Sequence, residues 1–222
     1  MSSWIYLSYA LSPETPAYAN GKTMEIERLK EIQKGDSCNT SFWKLPDHIG
    51  THIDFPRHFN RQGNSMDSYG AKFWIFNNVF LIDLAGHELP AIIDNSSIGI
   101  NDISRETELL MIKTGYGKVR SEEAYWRDSP IFMPELADEM RKRCPQLRTV
   151  GIDTISISSM RSRELGRETH REFLCSDKPI LIIEDMDLCK IGKETSFKKV
   201  IVVPLRVSGA DGSPCTILGE LK

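Results

Sequence analysis

Hydrophobic residues fall along this chain in short runs with two distinct periods. IYLSYAL near the start alternates as a strand does, and SPETPAYANGK after it, with two prolines and a glycine, reads as a loop. TMEIERLKEI fits neither period cleanly through Ile26, Leu29 and Ile32 and is assigned to a strand. NNVFLIDLAG and ELLMIKTGYG are apolar runs ended by glycine, the pattern of buried strands. MPELADEMRKRC switches to helical spacing through Leu136, Met140 and Cys144, with acids early and bases late to match the helix dipole. TVGIDTISIS then predicts a strand, RSRELGRETHREFL a helix, KPILIIEDMDL a strand leaving by an acidic turn, and KKVIVVPLRV and DGSPCTILGEL two more strands. Many strands with few helices and no regular βαβ alternation indicate a mixed α/β or α+β chain. No repeat or low-complexity tract divides it, and 222 residues suffice for one core, so residues 1–222 read as a single domain.

Charge narrows the partners. Lys plus Arg number 28 against 31 Asp plus Glu, a formal net charge of −3 that gives no field to attract nucleic acid or anionic lipid. Arg141 to Arg143 form a local basic cluster, which beside Glu135, Asp138 and Glu139 reads as a solvated helix face. MSSWIYLSYALSPETP lacks the basic start and apolar run of a signal peptide, and no apolar run approaches the roughly 20 residues of a membrane span. A cytoplasmic protein is expected. Cys38, Cys144, Cys175, Cys189 and Cys215 are odd in number and never spaced as CxxC, which argues against a disulfide framework or a cysteine-based zinc site.

Chemistry concentrates in HIGTHIDFPRH, where three of the five histidines and an aspartate share eleven positions. Gly50, the β-branched Thr51 and Ile53, and Pro56 oppose a helix there. In an extended strand His48, His52 and Asp54 point to one face. A straight strand would leave His48 and His52 about 13 Å apart along the backbone, so two imidazoles on one ion require a bend, best placed at Gly50. Pro56 then ends the strand and swings His58 into a loop beside the site. Two imidazoles and a carboxylate suit a borderline divalent ion, Zn²⁺ or Mn²⁺, with positions left open for water and substrate. His58, outside the alternating set, suits a general acid or base.

HIGTHIDFPRHF resembles the HxGTHxDxPxHF signature of the metal-dependent cyclase-like hydrolases, a family that includes bacterial kynurenine formamidase and isatin hydrolase. Eight of these twelve positions are fixed by the pattern. LSPETPAY, LLMIKTGYG, GIDTISI, THREFL, IIED and PLRVSGADGSP extend the resemblance through most of the chain in the expected order. It implies a swivelling β/β/α fold with a mixed barrel-like sheet flanked by helices, assembled as a homodimer or homotetramer. By the same resemblance His48, His52 and Asp54 bind metal and His58 transfers protons. His170 and Glu184 would complete a second site, so one or two ions are expected per chain.

The residues themselves are compatible with those roles. His170 shares an inward helix face with Gly166, Phe173 and Leu174 while most arginines and glutamates point out; such a histidine is either a satisfied core residue or a ligand. Glu184 ends the apolar run ILII, where a carboxylate needs a cationic partner unless it is a turn residue beside Asp185 and Asp187. His87, in AGHELP, matches no ligand position and reads as a surface-loop histidine. Phe42 and Trp43, just before the signature, form either an aromatic substrate wall or part of the core. Together these features predict a metal-dependent amidohydrolase in which His58 moves a proton from the attacking water to the leaving group, with an arylformamide such as N-formylkynurenine as the named candidate substrate. The alternatives are a cyclase or ring-opening hydrolase of cyclic amides or lactones, and a non-catalytic metal-binding protein.

Overall fold

The computed structural model describes residues 3–86, 88 and 90–222, so His87 lies outside the described residues. Among them the chain order is β1 (Trp4–Tyr6), β2 (Glu25–Lys30), β3 (Thr40–Lys44), β4 (His52–Asp54), β5 (Ile75–Phe76), β6 (Val79–Asp83), β7 (Ile92–Ile93), α1 (Asn95–Ile98), β8 (Leu109–Lys113), α2 (Glu123–Arg127), β9 (Ile131–Phe132), α3 (Leu136–Arg143), β10 (Thr149–Ile152), α4 (Arg163–Leu174), β11 (Leu181–Glu184), β12 (Phe197–Pro204) and β13 (Gly212–Leu221).

One sheet of nine strands runs β5-β12-β13-β4-β11-β10-β8-β6, with β1 also paired to β13. The end formed by β6, β8, β10 and β11 is parallel, and every pairing from β11 through β4, β13 and β12 to β5 is antiparallel. Because β6 packs back against β12, the sheet curls nearly into a barrel with the helices outside it. The mixed barrel-like sheet expected from the sequence is present. The strand, helix and strand read in succession from TVGIDTISIS to KPILIIEDMDL form a local βαβ unit, β10-α4-β11, with its strands paired in parallel. Its strands are buried on both faces, so they read as continuous apolar runs without a visible period. NNVFLIDLAG differs from expectation: β6 is the sheet's edge, and of its five residues only Ile82 is buried.

Helix α4 buries Gly166, Thr169, His170, Phe173 and Leu174 and packs on β11 and α3. The basic cluster on α3 helps hold it. Arg141 donates to the carbonyls of Glu172 and Phe173 at the C-terminal turn of α4 and to that of Lys178 beyond it, while Arg143 donates to the Ile103 carbonyl. The cluster is thus only partly a solvated face, since free helix carbonyls attract guanidinium groups. Strands β2 and β3 form a separate two-stranded ribbon. No helix among the described residues is long and apolar enough to cross a membrane, and the five cysteines are free thiols.

Candidate active site

The signature stretch forms the bend its glycine predicted. Gly50 adopts φ +61°, a left-handed conformation that an L side chain resists, and the chain turns there into β4. As a result the His48 and His52 ring centroids lie 5.3 Å apart. In β4 the alternation sends His52 and Asp54 to one face and Ile53 into the core. Register supplies the partners: Glu184 of β11 stands opposite His52, and Gly212 of β13 stands opposite Asp54. The His48 ring occupies the space above Gly212, where a Cβ would come within 2.3 Å of it. Pro56 opens a short 3-10 turn that carries His58 back to the same face.

His170 arrives from α4, and the helix approaches closely because residue 166 is glycine; a Cβ there would lie 2.8 Å from the Ser158 backbone. Two imidazoles are fixed from behind. His52 Nδ1 donates to the Gly50 carbonyl and His170 Nδ1 to the Gly166 carbonyl, each at 2.8 Å, which turns both Nε2 atoms toward the carboxylates. His52 Nε2 is 3.4 Å from Asp54 Oδ1 and from Glu184 Oε2, and His170 Nε2 is 3.4 Å from Asp54 Oδ2 and from Glu184 Oε1. These separations exceed good hydrogen bonds. Two donors each about 2.1 Å from a shared tetrahedral ion stand about 3.4 Å apart, so the spacing fits ligands better than ion pairs. His48 Nδ1 is closer, 2.8 Å from Asp54 Oδ1, a hydrogen-bond length. The Ile157 N–H at 2.7 Å and the Ser156 hydroxyl at 3.0 Å both donate to Glu184 Oε1 and hold that carboxylate in place.

Electrostatics point the same way. Burial pushes the imidazoles of His52 and His170 down, but the facing carboxylates of Asp54 and Glu184 outweigh it, holding His52 well above the ordinary histidine value and His170 at about 10. For Glu184, burial and the Asp54 charge push upward, yet the facing imidazoles bring it to about 2; Asp54, also raised by burial, is drawn well below the carboxylate range by the histidines around it. A buried cluster that grips protons so firmly between nitrogen and carboxylate is one in which a divalent cation can take their place.

His58 stands apart from this buried set. Its Nδ1 is 3.1 Å from Asp211 Oδ2, its ring lies 4.1 Å from that of His48, and its side chain is 30% exposed to the cavity. With Nδ1–H donating to Asp211, Nε2 is left free for proton transfer. The sequence reading passed over Asp211, although it sits in the terminal GADGSP already matched by resemblance. Asp185 was likewise more than a turn acid. It is buried at φ +53°, receives Arg120 through two bonds of 2.8 and 2.6 Å, and accepts the Tyr125 hydroxyl, anchoring the chain just after Glu184.

All six expected metal and catalytic residues, His48, His52, Asp54, His58, His170 and Glu184, line one cavity of about 440 Å³. The SDKP turn joins α4 to β11, and His170 and Glu184 on either side of it both reach the cavity. Phe42 and Trp43 are not in that lining and not in the core: they are 56% and 63% exposed on β3. Conversely Arg163 and Arg167, on a helix whose charged residues were expected to point outward, line the cavity beside Tyr18.

Comparison with known proteins decides the family. The model of the family described as "Putative cyclase" matches residues 5–159. The chain belongs to this cyclase family. Over 96% of its length it is similar at low identity to curated relatives: 24% to a kynurenine formamidase of Bacillus cereus and 26% to one of Geobacillus thermodenitrificans, covering 95% of each. Its fold matches isatin hydrolase A of Labrenzia aggregata with TM-score 0.81 at 18% identity, covering 99% and 93% of the two chains. A second solved structure, called a potential metal-dependent hydrolase with cyclase activity, matches with TM-score 0.78 at 21% identity, covering 100% and 99%. The family match ends before His170 and Glu184, so their place in the site rests on the geometry above.

Proposed function

We propose that this cyclase-family protein is a metal-dependent hydrolase that cleaves the C–N bond of a small amide, with an arylformamide such as N-formylkynurenine as the first candidate. The observation that carries the reading is the division of labour in one cavity: a buried set of nitrogen and carboxylate donors at ligand spacing, and beside it a histidine that is not part of the set. The kynurenine formamidases with which the chain aligns over 96% of its length support the substrate class.

His48, His52, Asp54, His170 and Glu184 would hold the metal. Each carboxylate offers one oxygen to His52 and the other to His170, a donor set that would serve one or two ions. Zn²⁺ and Mn²⁺ both suit nitrogen and carboxylate donors. Bound there, a divalent ion acidifies water and polarises a carbonyl oxygen. The protein's own residues do the rest. The Gly50 and Gly166 carbonyls fix the ring orientations, and Asp211 holds His58 so that Nε2 takes a proton from the attacking water and returns it to the departing amine nitrogen.

The same apparatus would open a cyclic amide or lactone, and comparing isatin and aryl lactones with N-formylkynurenine separates these readings. We also propose a homodimer in the cytoplasm. An isolated two-stranded ribbon is marginal in water, and β2–β3 with its connection exposes Leu29, Ile32, Phe42 and Trp43, a surface suited to a second copy. Free thiols suit a reducing compartment. The deciding experiment is metal analysis of the purified chain together with turnover of N-formylkynurenine. One or two ions per chain with turnover support the proposal, and no metal uptake on reconstitution overturns it.

A further inference from the structure

The cavity carries two cations that neither the ligand set nor His58 accounts for. Arg163, Arg167 and His170 follow one another on α4 at positions i, i+4 and i+7, one face of a helix, and all three line the cavity. At 1.5 Å per residue the two arginines start about 5 Å and about 10 Å along the helix axis from His170. Both arginines are exposed, so their guanidiniums are open to a ligand, whereas the half-buried Arg120, Arg141 and Arg148 are tied to Asp185, Asp138 and Glu108. Among the described residues no carboxylate pairs with Arg163 or Arg167; Arg163 faces only the Met160 sulfur, a weak acceptor.

Tyr18 and Ala19 line the same cavity. Ala19 and Asn20 adopt φ +55° and +54°, a left-handed conformation that asparagine tolerates and that is costly for alanine. Strained backbone of this kind collects at ligand clamps. Tyr18 lines the same cavity as both arginines; burial raises its hydroxyl above the ordinary tyrosine value, and the charges of Arg163 and Arg167 oppose that rise. The rim therefore combines two planar five-donor cations and a hydroxyl, while the cavity floor is occupied by the carboxylates.

The geometry points to a substrate that carries a carboxylate several bonds away from the scissile carbonyl, gripped by Arg163 and Arg167 with Tyr18 while the carbonyl sits at the histidine–carboxylate set. This deepens the hydrolase reading and rests on it. Guanidinium forks match carboxylate geometry, so selection acts on charge and shape together. N-formylkynurenine has such a group, whereas isatin and formanilide do not.

The test compares metal-loaded wild type with R163Q, R167Q and the double variant on N-formylkynurenine and on its methyl ester, which differ only in the charge. Wild type should favour the free acid by about 10- to 100-fold in kcat/KM, mainly through KM, and the double variant should bring the acid-to-ester ratio close to one. R171Q, on the same helix but outside the cavity lining, should leave the ratio unchanged. Equal turnover of acid and ester by wild type, or an R171Q effect as large as that of the double variant, overturns the carboxylate subsite and leaves the hydrolase reading standing. Failure to hydrolyse either compound removes the arylformamide reading instead. Kynurenine and kynurenine methyl ester titrated into the metal-free protein then judge the subsite: tighter binding of the acid, lost in the double variant, supports it, and equal or absent binding of the two overturns it.

Discussion

Strands β3 and β4 are both short, both carry residues singled out from the sequence, and lie in opposite circumstances. All of β4 is buried, with neighbours on each side that place Glu184 against His52 and Gly212 against Asp54. Strand β3 is hydrogen-bonded only to β2, and Phe42 and Trp43 project into solvent. A residue whose surroundings are dictated by pleat and register has a role that can be argued from its spacing. A residue on a free-standing ribbon finds its partner outside the fold that displays it.

The comparison breaks most sharply at Asp54. Replacing it with Asn should abolish both metal retention and turnover, because its two oxygens face His52 on one side and His170 on the other; full metal content by elemental analysis would sink the ligand assignment. His58→Ala should lower kcat about 10²- to 10⁴-fold with metal content intact, and Asp211→Asn, which only frees the His58 ring to turn, should cost about 10- to 100-fold. Loss of metal in His58→Ala would move that residue into the ligand set.

A third expectation concerns pH. In the metal-free protein His170 keeps its proton up to about 10, so an incoming cation must displace that proton at any lower pH. Metal affinity should therefore rise with pH, by about tenfold per unit for each proton released between about pH 6 and 8, as read by calorimetry in two buffers. A flat profile would show that the histidines are already neutral. The smallest effect on the folded chain belongs to the ribbon. F42S/W43S should leave chain stability within about 0.5 kcal/mol, since neither ring is buried, while shifting sedimentation towards the monomer. A stability loss of several kcal/mol with unchanged sedimentation would return these rings to the core.

Much of the site was legible in the chain because it is local. Gly50 announced the bend, Pro56 the exit, and the two-residue period of the strand the shared face of His52 and Asp54. His170 was visible as an inward residue of a helical pattern, and Glu184 as an acid after an apolar run. The missing parts are those created by long-range contact. Asp211 acquires its role only because β13 lies beside β4, and Arg163 and Arg167 only because α4, packed closely against Ser158 at Gly166, brings them to the cavity. The βαβ unit was legible as three successive elements, strand, helix and strand; the direct parallel pairing of β10 with β11 was not, because it is a long-range contact.

The pairing of β4 also orders events in the life of the chain. Its only two sheet neighbours are β11 and β13, so the His48-to-His58 segment leaves the ribosome with no strand to join until residues 181–184 and then 212–214 have been made. Such distant pairings form slowly during folding. The candidate centre is thus completed only by β13, and a chain terminated before Gly212 would retain His48, His52, Asp54, His170 and Glu184 and still lack the strand that sets Asp54 in place.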